Sequence, residues 1–94
     1  MKVERLRKIV TVASPQGFHF RPMKAFVEAA SRFPCEVTVT RADMEPVNGK
    51  SMLGLLGLIA VQGTELSIEV SGACADEAMQ ALLTVFEQNF DEGP

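Results

Sequence analysis

Glu65-Leu66-Ser67-Ile68-Glu69-Val70 alternates apolar and polar residues without a break. Successive side chains of a strand point to opposite faces, so Leu66, Ile68 and Val70 share one side while Ser67 and Glu69 take the other. A sheet made of such strands needs cover on one face only, the habit of antiparallel sheets. Glu36-Val37-Thr38-Val39-Thr40 repeats the pattern, with Val37 and Val39 turned inward. Lys8-Ile9-Val10-Thr11-Val12-Ala13 is rich in β-branched residues and reads as a first strand. After a turn at Arg41-Ala42-Asp43, Met44 to Asn48 reads as a short return strand. Pro46 within it points to a sheet edge, because proline cannot donate to neighbours on both sides.

Three helical stretches supply the cover. From Phe20 to Phe33, the residues Phe26, Ala30 and Phe33 recur at i, i+4 and i+7, with Met23 and Val27 alongside. Lys24, Glu28 and Arg32 occupy the opposite face, and Pro34 ends the helix. Asp76 to Phe90 is a second long amphipathic helix with the stripe Ala78, Met79, Leu82, Val85, Phe86 and Phe90; Asp76 and Glu77 suit the positive end of its dipole. The tail Asp91 to Pro94 is expected to fray. Between them Ser51 caps a short helix starting at Met52. On a helical wheel Met52, Leu53 and Leu56 share one side and Leu55, Leu58 and Ile59 another. A helix apolar nearly all round either sinks into the core on both sides or keeps one side for a partner. The order strand, helix, two strands, helix, strand, helix gives an α+β two-layer open-faced sandwich, βαββαβα, with one face of the sheet covered.

Composition narrows the class. Ninety-four residues suit one domain over 1–94 with a single core, and the hydrophobic share of 47% suits a soluble globular chain. A net charge of -3 argues against nucleic acid as a partner. The one basic cluster, Lys2, Arg5, Arg7 and Lys8, reads as a solvated terminus. The longest apolar run, Met52 to Val61, is short and broken by two glycines, so no membrane insertion is expected. Cys35 and Cys74 stand far apart in no metal or redox spacing, and no signal peptide is recognised. They are expected to be reduced, half-buried side chains of a cytoplasmic protein.

Chemistry concentrates in Gly17-Phe18-His19-Phe20-Arg21-Pro22, which follows the turn Ser14-Pro15-Gln16-Gly17 and holds the chain's one histidine. A neutral imidazole serves as a nucleophile and then as a leaving group. The Arg21 guanidinium can spread over phosphoryl oxygens by paired hydrogen bonds. Pro22 marks the first turn of a helix, whose unpaired N–H groups at Phe20 and Arg21 would face a phosphate on His19. A lone histidine is more often structural than functional, and here the surrounding motif reverses that weighting. No nearby carboxylate completes a triad, and no second histidine or paired cysteine offers a metal site, so neither metal nor cofactor is expected.

Two motifs carry a family resemblance over Ile9 to Phe90. Gly17-Phe18-His19-Phe20-Arg21-Pro22 resembles the Gly-x-His-x-Arg-Pro segment of HPr, the histidine phosphocarrier family of the phosphoenolpyruvate-dependent sugar phosphotransferase system. Asn48-Gly49-Lys50-Ser51-Met52-Leu53-Gly54 resembles the segment around that family's regulatory serine, and Gln62-Gly63-Thr64 is a weaker echo. The resemblance implies a four-stranded antiparallel sheet with the third strand at an edge. It implies that His19 takes a phosphoryl group from phospho-enzyme I and passes it to an enzyme IIA component, supported by Arg21, in a monomeric carrier that is not itself an enzyme. It further implies that Ser51 is the target of an HPr Ser kinase/phosphorylase. It places Met52, Leu53 and Leu56 on an exposed docking side, joined by Phe20, and Leu55 and Leu58 on a buried one. Phe20 departs from the family, which usually has Ala or Thr there, and Met23 replaces a common Ala. The ring either narrows the approach to His19 or adds apolar area to the docking surface.

Two further classes are compatible with the residues. One is a regulatory protein of the same fold, from the nitrogen-related branch or a catabolite-control co-effector, in which His19 is a signal. The other is an unrelated α+β ligand-binding or dimerisation module. A ligand module would show a concave pocket or dimers and no phosphohistidine.

Overall fold

The computed structural model describes residues 4–42 and 44–90, with backbone only at Asn89 and Phe90. Lys2, Asp43, the tail from Asp91 and the side chain of Phe90 lie outside the described residues. Four strands, β1 (Glu4–Thr11), β2 (Glu36–Arg41), β3 (Val47–Asn48) and β4 (Glu65–Gly72), form one sheet in the order β1-β4-β2-β3. Every neighbouring pair is antiparallel. The helices α1 (Phe20–Ser31), α2 (Met52–Leu56) and α3 (Ala75–Phe90) complete the expected βαββαβα order. β3 lies at the edge, but of the expected strand Met44 to Asn48 it keeps only Val47 and Asn48, and Pro46 stands just before it.

The alternating strands do what their period dictates. Leu66, Ile68 and Val70 of β4 and Val37 and Val39 of β2 are buried under the helices, while Glu65 and Glu36 are exposed on the open side. α1 and α3 pack together above these strands, contributing Met23, Phe26, Ala30, Ala78, Met79, Leu82 and Phe86 to the core. Three rings form its centre at the α1–α3 seam. Phe26 meets Phe18 edge-on at 6.0 Å and Phe86 edge-on at 5.8 Å, and Phe18 stacks on Phe86 at 5.4 Å. Met23, where the family usually has Ala, is one of these core residues.

Three further expectations need correcting. β1 begins four residues earlier than Lys8 and stops at Thr11, short of the expected Ala13, pairing with β4 from Glu4↔Gly72 to Thr11↔Glu65. Arg5 and Arg7 are therefore strand residues on the open face, not part of a loose terminus. Arg7 Nε donates to Ser67 Oγ at 2.7 Å, and Arg5 Nε stands 3.7 Å from Glu69 Oε2. An edge strand with one wet face tolerates such charges and is protected by them from pairing with other chains. Second, α1 stops at Ser31, because tightened bonds from Arg32 N to Ala29 O and Phe33 N to Ala30 O close the last turn ahead of Pro34. Phe33 is consequently half-buried beyond the helix.

Third, α2 ends at Leu56, so the wheel does not extend to Ile59. Ile59 has a left-handed backbone (φ 47°) and is 71% exposed, whereas Leu55 and Leu58 are fully buried. Cys35 is buried and Cys74 half-buried, both as free thiols.

Truncating Phe26 should remove the centre of the ring cluster. Phe26→Ala is expected to lower stability by about 3–5 kcal/mol, read as a shifted urea midpoint with an unchanged slope.

Candidate functional site

His19 sits where a loop becomes a helix, and several backbone bonds fix that point. The chain leaves β1 at Val12, whose N–H donates to Thr64 O (2.9 Å) and whose carbonyl accepts from Gly63 N (2.8 Å). Gln62 Nε2 donates to Ala13 O at 3.0 Å. Buried Ser14 closes the turn, its carbonyl accepting from Gly17 N and its hydroxyl from Gln16 N. Phe18 N then donates to Ala60 O at 2.8 Å while its ring enters the aromatic cluster. Gly17 makes this approach possible. Its φ is +76°, and a Cβ there would fall 2.7 Å from Ala60 O. The weak Gln62-Gly63-Thr64 echo is thus the clamp that holds the histidine loop.

His19 is the N-cap of α1, with extended backbone (φ -92°, ψ -170°), and its carbonyl accepts the first helical bond from Met23 N. Its side chain makes no capping bond to the helix. Instead Nδ1 lies 3.0 Å from Gly17 O. A carbonyl can only accept, so this contact belongs to the tautomer with its proton on Nδ1. Phosphorylation at that nitrogen would exchange the carbonyl contact for the phosphoryl group. The ring is half-buried, Phe20 and Arg21 are exposed in the first turn, and Pro22 is buried at the third helical position. His19 therefore stands at the positive end of the α1 dipole, next in the chain to the opening amides, a position suited to an anion.

The second motif builds the neighbouring helix. Asn48 Oδ1 accepts from Lys50 N at 2.9 Å, and Gly49 is packed so tightly that a Cβ would fall 2.5 Å from Val37 Cγ1. Lys50 Nζ donates to Phe33 O at 2.6 Å, just beyond the end of α1. Ser51 Oγ accepts from Gly54 N at 3.1 Å, so the serine is a working cap. Of the expected docking residues, Phe20 (66%), Leu53 (81%) and Leu56 (52%) are exposed, and Met52 is half-buried. Ile59 and Val61 are exposed as well. The wheel missed them because both follow the end of α2. Among the described residues no cluster of three or more His, Cys, Asp or Glu could hold a metal, and no helix is long and apolar enough to cross a membrane.

These features define a class: an open-faced α+β sandwich presenting a histidine at the mouth of a helix. The family model PTS-HPr, described as the PTS HPr component phosphorylation site, matches residues 6–88. The phosphocarrier protein HPr of Neisseria meningitidis serogroup A is 40% identical over 88 residues, covering 94% of this chain and 98% of the relative. A crystal structure of HPr from Thermoanaerobacter tengcongensis superposes with a TM-score of 0.86 at 30% identity, covering 95% of this chain and 99% of that one. Crh, a catabolite repression protein of Bacillus subtilis, superposes with a TM-score of 0.69 at 31% identity, covering 88% and 94%. The chain belongs to the HPr family, the phosphocarriers of the phosphotransferase system.

Gly17→Ala should disturb the site through the backbone alone. The left-handed strain and the Ala60 contact are expected to cost about 1–3 kcal/mol by urea unfolding. Displacing His19 should also slow its phosphorylation by about tenfold or more in a single-turnover assay.

Proposed function

We propose that His19 accepts a phosphoryl group from phospho-enzyme I and passes it to enzyme IIA components during sugar uptake. The chain, as one domain over 1–94, acts in the cytoplasm as a monomeric, stoichiometric carrier and not as an enzyme. The observation that carries this reading is the position of His19: half-exposed, capping α1, and free of a side-chain bond to that helix. An unshared pair on an imidazole nitrogen attacks phosphorus as the bond from phosphorus to the donor's histidine breaks. The second transfer repeats the step in reverse roles. Such a transfer needs positioning and charge stabilisation more than covalent help. The amides of Phe20 and Arg21 and the dipole of α1 meet the added charge, and the Arg21 guanidinium spreads over the equatorial oxygens.

Docking falls to the exposed apolar residues Phe20, Leu53 and Leu56 with half-buried Met52. The exposure of Phe20 supports added apolar area as its contribution. Ser51 lies immediately before these α2 residues, which suits regulation by an HPr Ser kinase/phosphorylase. A phosphate there would set about two negative charges against any acidic partner surface. The likeness to Crh favours a second reading, a regulatory protein not dedicated to sugar transport, but the superposition is poorer than that on HPr. Transfer from phosphorylated protein to IIA components separates the two.

Incubation with phosphoenolpyruvate and enzyme I should give an acid-labile, base-stable phosphate on the protein, absent from His19→Ala. Ser51→Asp should remain folded and accept the phosphoryl group at least about tenfold more slowly. An unchanged rate in that variant would remove the regulatory role of Ser51.

A further inference from the structure

Cys35 and Cys74 are 39 positions apart in sequence, yet their sulfur atoms lie 3.1 Å apart, within hydrogen-bond distance of one another. Cys35 immediately precedes β2 and Cys74 immediately precedes α3. A disulfide bond is about 2.05 Å long, so closure asks for roughly 1 Å of movement, within reach of small side-chain rotations. We infer that this pair is an oxidation site, a dithiol that hydrogen peroxide converts reversibly into an intramolecular disulfide.

The two thiols are unequal, and the difference assigns their roles. Cys74 is half-exposed and meets the oxidant, whereas Cys35 is buried behind it. Burial, then the hydrogen bond and charge of Cys74, push the Cys35 thiol up, so Cys35 waits protonated as the resolving partner. In the first step Cys74 sulfur, as thiolate, attacks one peroxide oxygen. The O–O bond breaks, and the departing hydroxide takes a proton to become water. In the second step Cys35 sulfur attacks the sulfur of the Cys74 sulfenic acid. The S–O bond breaks, and the hydroxyl leaves with the Cys35 proton as a second water. Two electrons pass from the thiols to peroxide, and a dithiol reductant returns them by exchange.

The bond would close a loop that includes β2, β3, α2 and β4, restricting the unfolded chain more than the folded one. It also lies beyond the far end of α1 from His19, and a helix of 12 residues is about 18 Å long. The site therefore staples the fold at a distance from the phosphate-accepting end, and it stands whatever His19 does.

The test treats the reduced full-length protein with excess hydrogen peroxide, then denatures it, alkylates it with iodoacetamide and weighs it. The expected product carries no alkyl group, is about 2 Da lighter than the reduced chain and runs as a monomer without reductant. A linked peptide should join Cys35 to Cys74, dithiothreitol should restore both thiols, and Tm should rise by about 10 °C or more on oxidation. Cys74→Ser under the same treatment should give no internal link and no rise in Tm. Wild-type protein that remains doubly alkylatable would overturn the inference. So would one that stops at oxygen addition on Cys74 or forms only links between chains.

Discussion

The contact between Gly17 and Ala60 is the constraint on which the molecule's chemistry depends. A carbonyl oxygen occupies the space that any β-carbon at residue 17 would need. This lets Phe18 donate to Ala60 and drop its ring between Phe26 and Phe86. Bonds from Val12, Gly63 and Gln62 repeat the clamp on either side. With Phe18 anchored in the core, the next residue has little choice of place, and that residue is His19. A loop that would otherwise sample many conformations is held before any partner arrives, so binding need not supply the ordering cost.

The second motif is tied to the end of the helix that His19 opens. Lys50 reaches back to the carbonyl of Phe33 beyond the far end of α1, while Ser51 caps α2. The Asn48-Gly49-Lys50-Ser51 run is thus an architectural device in its own right. Asn48 shapes the turn, Gly49 fits against Val37, Lys50 meets the carbonyl of Phe33 just past one helix, and Ser51 starts the next. A structural role and a regulatory one are compatible on Ser51, because a cap residue must lie at a helix entrance near the surface. What the arrangement achieves is a short helix whose inner side, Leu55, is fixed in the core while Leu53 and Leu56 face outward.

The strands and long helices were legible because their periods are strict. Leu66, Ile68 and Val70, or Ala78, Met79 and Leu82, announce one buried side each. The family resemblance rested on motifs that the fold then explained one residue at a time. The failures have physical reasons. Arg5 and Arg7 read as a terminus because charged residues hide an edge strand whose exposed face needs no apolar side chain. Ile59 was grouped with Leu55 and Leu58 because a wheel assumes helical backbone, and residue 59 is left-handed. The nearness of Cys35 to Cys74 could not be read at all, since it is created by the meeting of the β2 and α3 entrances. The Gln62-Gly63-Thr64 clamp lay between: visible as a motif, silent about its purpose.

The central claim is that the first turn of α1 receives the phosphate on His19. Amide proton–nitrogen NMR spectra recorded before and after phosphorylation by enzyme I test it most directly. The account predicts that the amides of Phe20 and Arg21 move strongly downfield as they begin donating to phosphoryl oxygens, with those of β4 unmoved. Amides of residues 20 and 21 that keep their positions while the phosphate is present would contradict it.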